Sequence, residues 1–448
     1  MKHSVKSVRW SALVVVVVLS LSNLSPSQEH SKFKTLSNQQ VREMLDVVEA
    51  DIKQYYYDAT MHGLDLDKNF ESARKRIAEA KSQNEALLEV AGAVATLKDS
   101  HTRFNPPVAP YGVDYGWRMQ AIGDSDCFVT AVRPGSDAEA KGLRPGDQVV
   151  SINGVKLTRQ DISNIEYGYR VFPQSGLHLI VKSSNGAPER PLIAIAKIIP
   201  GQPLIRGIDA RTWLRNYHKQ KDRSRYYSVK DQVLFWKLPD FLLDPNDLEA
   251  FLNRIHSFRT VVLDLRGDPG GSAGELEKLV GGFYDHDIKI GDRKERKKSE
   301  ARIAKSRGKK SFGGKLIVLV DSRSASAAEI FARVVQLEKR GIVLGDRSAG
   351  AVAESQPYVH AVPLDATNVT QYSIMITTAD LILGDGKRLE NVGVAPDEPI
   401  VPTASDLATG RDPVLARAAE LAGIKMTADE AGKIFPVEWP KEEMPEIN

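Results

Sequence analysis

The sequence predicts an α/β protein with a largely parallel core sheet, an N-terminal helical region and an inserted domain of short strands. Apolar runs at residues 260–265 and 316–320 have the length of strands buried on both faces, and a turn and a helical pattern follow each run. Residues from about 30 to 100 repeat apolar side chains at helical spacing. Residues 115–200 instead alternate in short strands. Strands that alternate with helices indicate a parallel sheet.

The chain has 448 residues, of which 42% are hydrophobic and 27% charged. This composition is typical of a globular protein of two or three domains. The N-terminus differs, because basic residues precede the apolar run 12–21, and Ser25-Pro26-Ser27 follows it. This order predicts a secretory signal over residues 1–27 and an exported protein, periplasmic or extracellular. An uncleaved anchor is the alternative and the only predicted route to a membrane.

Neither charge nor cysteine content points to nucleic acid or to a metal. Residues 1–27 hold three basic and no acidic residues, so their removal lowers the formal net charge from +3 to 0. Cys127 is the only cysteine, which excludes an intrachain disulfide and a cysteine metal cluster. Its alternating apolar surroundings favour a small core residue. We therefore expect no cofactor and no metal.

The predicted helical region spans residues 28–106 and ends at Pro106-Pro107, which forbid helix continuation. Just before that boundary stand Ser100 and His101. An imidazole there could act as a general base. The alternative is a histidine at the surface or in packing.

Residues 107–200 form the second predicted domain. A strand, a short helix, a Pro-Gly turn, a strand and an Asn-Gly hairpin follow one another from Val132 to Gly154. This segment resembles a PDZ domain. The resemblance puts the carboxylate-binding loop near residues 115–118, which makes Gly116 and Trp117 candidate substrate-binding residues. A PDZ domain that only packs against its neighbour is the alternative.

The predicted α/β core spans residues 201–405. Within it, segment 291–315 carries eleven lysine and arginine residues. A nucleic-acid patch and a solvated insertion both fit that charge, and the lack of a binding motif with aromatic stacking residues favours the insertion. We expect no nucleic-acid partner. Residues 406–448 predict a peripheral helix, 413–422, and a Pro/Glu-rich tail.

Ser326 is the candidate nucleophile. It follows the apolar run 316–320 through a turn of small polar residues, and a helical pattern begins at Ala327. A hydroxyl at such a junction projects from a rigid edge beside unpaired helix N–H groups, which favour negative charge. The alternative is that Ser324 or Ser326 merely caps the helix.

Two further loops supply candidate chemistry. Gly267, Gly270 and Gly271 follow a buried strand, where a backbone without side chains can direct N–H groups at a developing oxyanion. The same glycines could form only a tight turn. Glu390 could orient and stabilise the histidine base.

Four ordered motifs resemble the S41 serine peptidases, the family of the C-terminal processing (tail-specific) proteases and the tricorn protease. They are Asp-Leu-Arg-Gly-Asp-Pro-Gly-Gly at 264–271, Ser-Ala-Ser-Ala-Ala-Glu at 324–329, Gly-Asp-Arg-Ser-Ala-Gly-Ala at 345–351 and Glu-Asn-Val-Gly-Val-Ala-Pro-Asp at 390–397. The resemblance runs from about residue 85 to 402 and includes the PDZ domain. It implies a crotonase/ClpP-like α/β fold for the protease core.

The resemblance also implies a particular set of catalytic residues. The tail-specific branch uses a Ser-Lys dyad, and Ala351 stands where that lysine belongs. The tricorn-like branch uses a Ser-His-Ser-Glu tetrad, which Ser326, His101, Ser100 and Glu390 match. By that resemblance Ser326 attacks the scissile carbonyl and His101 takes its proton, while Ser100 and Glu390 polarise the histidine. The N–H groups of Gly270 or Gly271 and of Ala327 would hold the oxyanion.

The sequence thus predicts an exported serine endopeptidase that cleaves unfolded or extended proteins, with the PDZ domain presenting or gating them. The alternative is a catalytically inactive relative that binds a peptide or ligand, which the missing lysine favours and the tetrad opposes. Protein or peptide substrates are the expected partners, and a homo-oligomer is left open.

Overall fold

The computed structural model describes residues 35–107, 111–124, 126–200, 225–229, 232–364, 368–437 and 439. The secretory signal predicted for residues 1–27 lies outside these ranges. Within them, no helix is both long and apolar enough to cross a membrane.

The N-terminal region is helical, as predicted. It contains α1 (Asn38–Tyr55), α2 (Leu66–Glu79) and α3 (Gln83–Ala95), followed by the short strand β1 (Arg103–Asn105). Ser37 caps α1 in a capping box with Gln40, which explains where that helix begins. The apolar faces of the three helices bury Val48, Phe70 and Val90 in one cluster. That cluster fixes the segment after α3, which carries Ser100 and His101.

The predicted PDZ region contains a main antiparallel sheet, a two-stranded ribbon and two helices. In chain order its elements are β2 (Tyr111–Asp114), β3 (Trp117–Ile122), β4 (Asp126–Val132), α4 (Asp137–Ala140), β5 (Gln148–Ile152), β6 (Val155–Lys156), α5 (Ile162–Val171), β7 (Gly176–Lys182), β8 (Arg190–Ile195) and β9 (Lys197–Pro200). The sheet runs β3-β4-β5-β7-β8, with β6 paired to β5. Strands β2 and β9 form a separate ribbon. Cys127 is buried in this sheet, which confirms its predicted role in the core.

The core domain contains the remaining strands and helices. In chain order they are β10 (Arg225–Val229), β11 (Val233–Lys237), α6 (Pro245–Arg254), β12 (Thr260–Asp264), α7 (Ala273–Phe283), β13 (Ile288–Glu295), β14 (Ser299–Ala304), β15 (Lys315–Val320), α8 (Ala327–Leu337), β16 (Gly341–Gly345), β17 (Glu354–Pro363), β18 (Val369–Leu383) and β19 (Glu398–Pro399).

The central sheet has the order β10-β11-β12-β15-β16-β19. All of its pairs are parallel except β10 with β11. Every residue of β12 is buried, and so is β15 after its first residue, which explains their nearly continuous apolar sequence. Because β12 and β15 are parallel neighbours, the loops that follow them emerge at the same edge. One loop carries the glycines and the other carries Ser326.

A second, antiparallel sheet joins the N-terminal region to the core. Its order is β1-β18-β13-β14, and β17 also pairs with β18. The pairing of β1 with β18 ties the segment after His101 to the core. The basic segment 291–315 is largely the β13–β14 hairpin of this sheet, with Arg293 and Arg302 both ion-paired to Glu354.

The C-terminal helix is correctly predicted, but its peripheral position is wrong. Three helices follow the core, α9 (Ala404–Thr409), α10 (Pro413–Leu421) and α11 (Ala428–Ala431). Helix α10 buries Val414 and Leu415 against Phe235 and Ile317 on one face of the central sheet. A parallel sheet needs cover on both faces, and these helices supply it on the side opposite α6–α8.

Candidate functional site

Ser326 stands at the junction of strand β15 with helix α8, in a strained backbone conformation. Its φ is 54° and its ψ −116°, a region that a residue with a side chain rarely adopts. The residue occupies the N-cap position of α8, and its N–H donates to Ala351 O at 2.8 Å and to Glu329 Oε2 at 3.0 Å. The surrounding chain therefore maintains the strained geometry. The N-cap position does not exclude the predicted role as nucleophile.

The turn before Ser326 is fixed by a carboxylate. Asp321 Oδ1 accepts hydrogen bonds from the N–H of Ser324 at 3.1 Å and of Gly267 at 2.9 Å. The hydroxyl of Ser324, which is fully buried, donates to Leu265 O at 2.8 Å. Ser324 thus binds the nucleophile turn to the glycine loop and does not cap the helix.

The glycine loop touches the nucleophile directly. A Cβ atom on Gly270 would lie 2.6 Å from Ser326 Cβ and 2.8 Å from Ala327 N. A Cβ on Gly271 would lie 2.6 Å from the backbone of Phe241. Both residues have positive φ, 90° and 150°. Glycine is therefore required at both positions, and the loop passes close to the first N–H of α8.

The two glycines differ in what their N–H groups do. The N–H of Gly270 donates to Asp268 Oδ1 at 2.7 Å, so it is already engaged. In the described part of the chain, no hydrogen bond engages the N–H of Gly271 or of Ala327. Of the three predicted oxyanion donors, these two are the ones available in this structure.

Asp268 is a fully buried carboxyl beneath this loop. Its Oδ2 has no hydrogen-bond partner among the described residues. Burial raises the pKa of Asp268 well above its ordinary value, the nearby Asp240 and Asp321 raise it further, and the bond from Gly270 opposes them. Burial therefore favours the neutral form of this carboxyl, which lies beneath the loop that carries the oxyanion donors.

Ser100, His101 and Glu390 form one hydrogen-bonded chain, although 290 positions separate the first from the last. Ser100 Oγ lies 2.7 Å from His101 Nδ1 and 2.8 Å from Glu390 Oε2. The backbone N–H of Ser100 donates to Glu390 Oε1 at 2.9 Å. The fold thus brings together three of the four residues that the family resemblance implies.

The hydrogen bonds among Ser100, His101 and Glu390 determine which nitrogen of His101 carries the proton. The single hydroxyl proton of Ser100 is donated to the Glu390 carboxylate, so Ser100 Oγ must accept from Nδ1–H of His101. The neutral imidazole then has its lone pair on Nε2. A general base needs an unprotonated nitrogen, and His101 presents one on the side of the ring away from Ser100.

The surroundings of His101 favour its neutral form. Burial lowers the pKa of His101, Asp99 opposes this effect, and Arg103 adds to it. Asp99 also holds the segment in place, because its Oδ1 accepts the N–H of His101 at 2.8 Å and the hydroxyl of Thr377 at 2.7 Å. Burial also disfavours the charged form of Glu390, which raises the pKa of that carboxyl.

Glu329 is the main buried anchor of the nucleophile. Its carboxylate is fully buried and accepts four hydrogen bonds, from Ser348 Oγ at 2.5 Å and from the N–H groups of Gly350, Ala351 and Ser326 at 2.8–3.0 Å. Sequence reasoning assigned Glu329 no role. The signal that could have identified it is the Ser-x-x-Glu spacing from Ser326, which is typical of a capping box.

The histidine chain and the nucleophile share one loop. Ala351 O accepts the N–H of Ser326, and the next residue, Val352, donates its N–H to Glu390 Oε2 at 2.8 Å. Two adjacent residues therefore connect Ser326 to the partner of Ser100. In the part of the chain that the structure describes, no hydrogen bond joins Ser326 directly to His101. Such contacts often tighten only when substrate binds.

Position 351 lies beside the nucleophile, where the Ser-Lys branch would require an amine. Here it carries only a methyl group. The buried carboxylate of Glu329 and the backbone of Ala351 take all the hydrogen bonds that Ser326 N–H makes.

The remaining predicted site residues lie in the PDZ region. Gly116 has φ 71° and accepts the N–H of Arg133 at 2.7 Å, and Trp117 begins β3. Across the described residues, no group of three or more His, Cys, Asp or Glu side chains could hold a metal. A cavity of about 570 Å³ borders Asp99 and Glu390, but neither Ser326 nor His101 lines it.

Comparison with protein families gives two matches. Residues 232–400 match the model of peptidase family S41, and residues 128–167 match that of the PDZ domain. These matches confirm the resemblance and the α/β fold class with an inserted PDZ domain.

Similar curated proteins are proteases or peptidases by name. A tail-specific protease of Haemophilus influenzae is 25% identical over 385 residues, covering 82% of this chain and 49% of that protein. A probable CtpA-like serine protease of Staphylococcus haemolyticus is 25% identical, covering 60% of this chain and 53% of that protein. The carboxyl-terminal-processing peptidase 3 of Arabidopsis thaliana is 22% identical, covering 86% and 75%. The chain thus spans about half the length of the first two relatives.

Solved structures support the fold. Mature CPAF complexed with lactacystin aligns with a TM-score of 0.59 at 15% identity, covering 83% of this chain and 95% of that one. A second structure of mature CPAF aligns with a TM-score of 0.60.

Proposed function

Because the chain carries a serine-peptidase region of family S41 and an embedded PDZ domain, we propose that it is an exported serine endopeptidase of unfolded or extended proteins. The single observation that carries the proposal is the hydrogen-bonded chain Glu390–Ser100–His101. It leaves Nε2 of the imidazole unprotonated, as a base requires. The export signal predicted for residues 1–27 motivates the exported location.

The proposed reaction is hydrolysis through an acyl-enzyme. His101 Nε2 takes the hydroxyl proton of Ser326 while Ser326 Oγ bonds to the scissile carbonyl carbon. The N–H groups of Gly271 and Ala327 stabilise the resulting oxyanion. His101 then gives that proton to the leaving amine as the C–N bond breaks. A water molecule attacks the ester, His101 takes its proton, and the proton returns to Ser326 Oγ as the acid product leaves.

The charge arrangement suits this cycle. His101 becomes an imidazolium in the first step, and its Nδ1–H points to Ser100, which is bonded to the Glu390 carboxylate. The new positive charge is therefore stabilised through a short polar chain. Burial raises the pKa of Asp268, which disfavours a buried negative charge near the oxyanion donors.

Labelling by a fluorophosphonate tests this function. We expect the reagent to phosphonylate Ser326 Oγ with loss of fluoride, as mass spectrometry of the digested protein would establish, and the unlabelled protein to cleave casein. Heat-denatured protein is the control and should not be labelled. A folded protein that neither reacts nor cleaves casein would contradict the proposal and favour the alternative, an inactive binding protein with this fold.

The pH dependence of kcat/KM tests the identity of the base. Because burial lowers the pKa of His101 below its ordinary value of about 6.5, the imidazole stays neutral at pH values where an exposed histidine is protonated. We therefore expect half-maximal kcat/KM on the acid side below pH 6.5. Asp99→Asn should move that midpoint lower still, since the Asp99 charge raises the pKa. A midpoint at or above 6.5, or no movement in the variant, would contradict this assignment.

A further inference from the structure

Strand β3 is an edge strand of the PDZ sheet. The side of β3 that does not pair with β4 is covered by hydrogen-bond donors from another part of the chain. The carbonyl of Met119 accepts a hydrogen bond from Arg323 Nη2 at 2.5 Å, and that of Ala121 accepts one from the hydroxyl of Ser322. These two carbonyls are two residues apart, so they point to the same side of the strand. Both donors come from the protease core, in the turn that leads to Ser326.

Arg323 also reaches the helix that flanks this edge. Its guanidinium pairs at 2.6 Å with Glu166 of α5. Both side chains are more than a third exposed, so the pair itself adds little stability. Its importance is geometric, because one side chain spans the groove between β3 and α5. An extended peptide that adds to a sheet edge needs that groove and the edge carbonyls.

The same turn is tied to the catalytic loops. Gln120 of β3 donates to Asp321 Oδ2 at 2.8 Å, while Asp321 Oδ1 accepts the N–H groups of Gly267 and Ser324. One carboxylate therefore contacts the PDZ domain, the glycine loop and the nucleophile turn.

We propose that the Asp321–Arg323 turn is an internal ligand of the PDZ domain, which covers the β3 edge against extended polypeptides. Docking of the turn and binding of a peptide strand exclude each other, because both require the carbonyls of Met119 and Ala121. This deepens the proposed function and rests on it only in naming an extended polypeptide as the competing ligand. The apparent affinity of the β3 edge for a peptide then equals its intrinsic affinity multiplied by the fraction of molecules in which the turn does not cover the edge.

A binding experiment on inactive protein tests the competition. The parent is Ser326→Ala, and the probe is a fluorescein-labelled peptide, Thr-Val-Thr-Val-Thr-Val-Ala, followed by fluorescence anisotropy. We expect the added pair Ser322→Ala and Arg323→Ala to lower the Kd at least about fivefold, since the covering donors are gone. The milder Glu166→Gln, which leaves the nucleophile turn unaltered, should lower the Kd in the same direction.

The matched control is Arg347→Ala. Arg347 is also a core arginine, and it pairs at 3.0 Å with Asp124, which lies in the β3–β4 turn and not on strand β3 itself. Its loss should leave the Kd within about twofold. Equal affinity in the parent and the double variant, an equal gain in Arg347→Ala, or no binding to the uncovered edge would each overturn the proposal. Because the parent is inactive, these outcomes are independent of whether the protein is a protease.

Discussion

Alanine at Ser326, alanine at His101 and both changes together are expected to lower kcat for casein hydrolysis by about the same factor, at least ~10³. A nucleophile and its base act as a unit, so removing the second partner costs little once the first is gone. The measurement is the initial rate of casein cleavage by the two single variants and the double variant, with circular dichroism to establish that each is folded.

The control is Ser299→Ala, an exposed serine on β14 that should keep the parental rate. Losses that multiply in the double variant would mean that His101 and Ser326 act independently. Full activity in His101→Ala would require a different base. The experiment is informative because, among the described residues, no hydrogen bond joins the two side chains directly and the path between them runs through Ala351, Val352, Glu390 and Ser100.

Much of the core could be predicted from local sequence. The runs 260–265 and 316–320 are almost continuously apolar because both strands lie inside a parallel sheet, and they match β12 and β15 closely. The helix after Ser326 begins at Ala327, as its pattern predicts. Such elements are predictable because burial on a fixed face imposes a period on the sequence.

Long-range packing was less predictable. Helix α10 was expected at the periphery, yet it covers one face of the central sheet. A short amphipathic pattern indicates that a face is buried but not which surface buries it. The contact of Arg323 with Met119, 204 positions away in the chain, likewise has no local signal.

The candidate site also has residues that could be predicted from the sequence and residues that could not. Ser100, His101 and Glu390 were grouped through the family resemblance, and the structure joins them by hydrogen bonds. Asp268 and Glu329 each lie in one of the family motifs, but their positions in the sequence predicted no role for either residue. Their roles depend on burial and on backbone donors that converge from separate loops. Residue type and spacing do not encode that convergence.

Glu329→Ala is expected to lower the free energy of unfolding by roughly 3–5 kcal/mol. The change removes the acceptor for four donors, three backbone N–H groups and the hydroxyl of Ser348, in a site without solvent. Leaving buried donors unpaired is costly. Chemical denaturation followed by circular dichroism measures the loss. The matched control is Glu338→Ala at the exposed end of the same helix, which should change stability by less than about 0.5 kcal/mol.

The pH dependence of stability identifies the Glu329 carboxyl itself. Burial raises the pKa of Glu329 from 4.5 to about 7, while its four hydrogen bonds oppose the shift. Between these two pH values the folded protein binds more protons at Glu329 than the unfolded chain does. The contribution of Glu329 to the free energy of unfolding therefore falls as the pH rises from 4.5 to 7, by about 3 kcal/mol in all. Glu329→Gln cannot titrate and should lack this part of the slope. Equal slopes for the parent and Glu329→Gln would mean that the folded protein holds Glu329 ionised throughout, because its four donors outweigh burial.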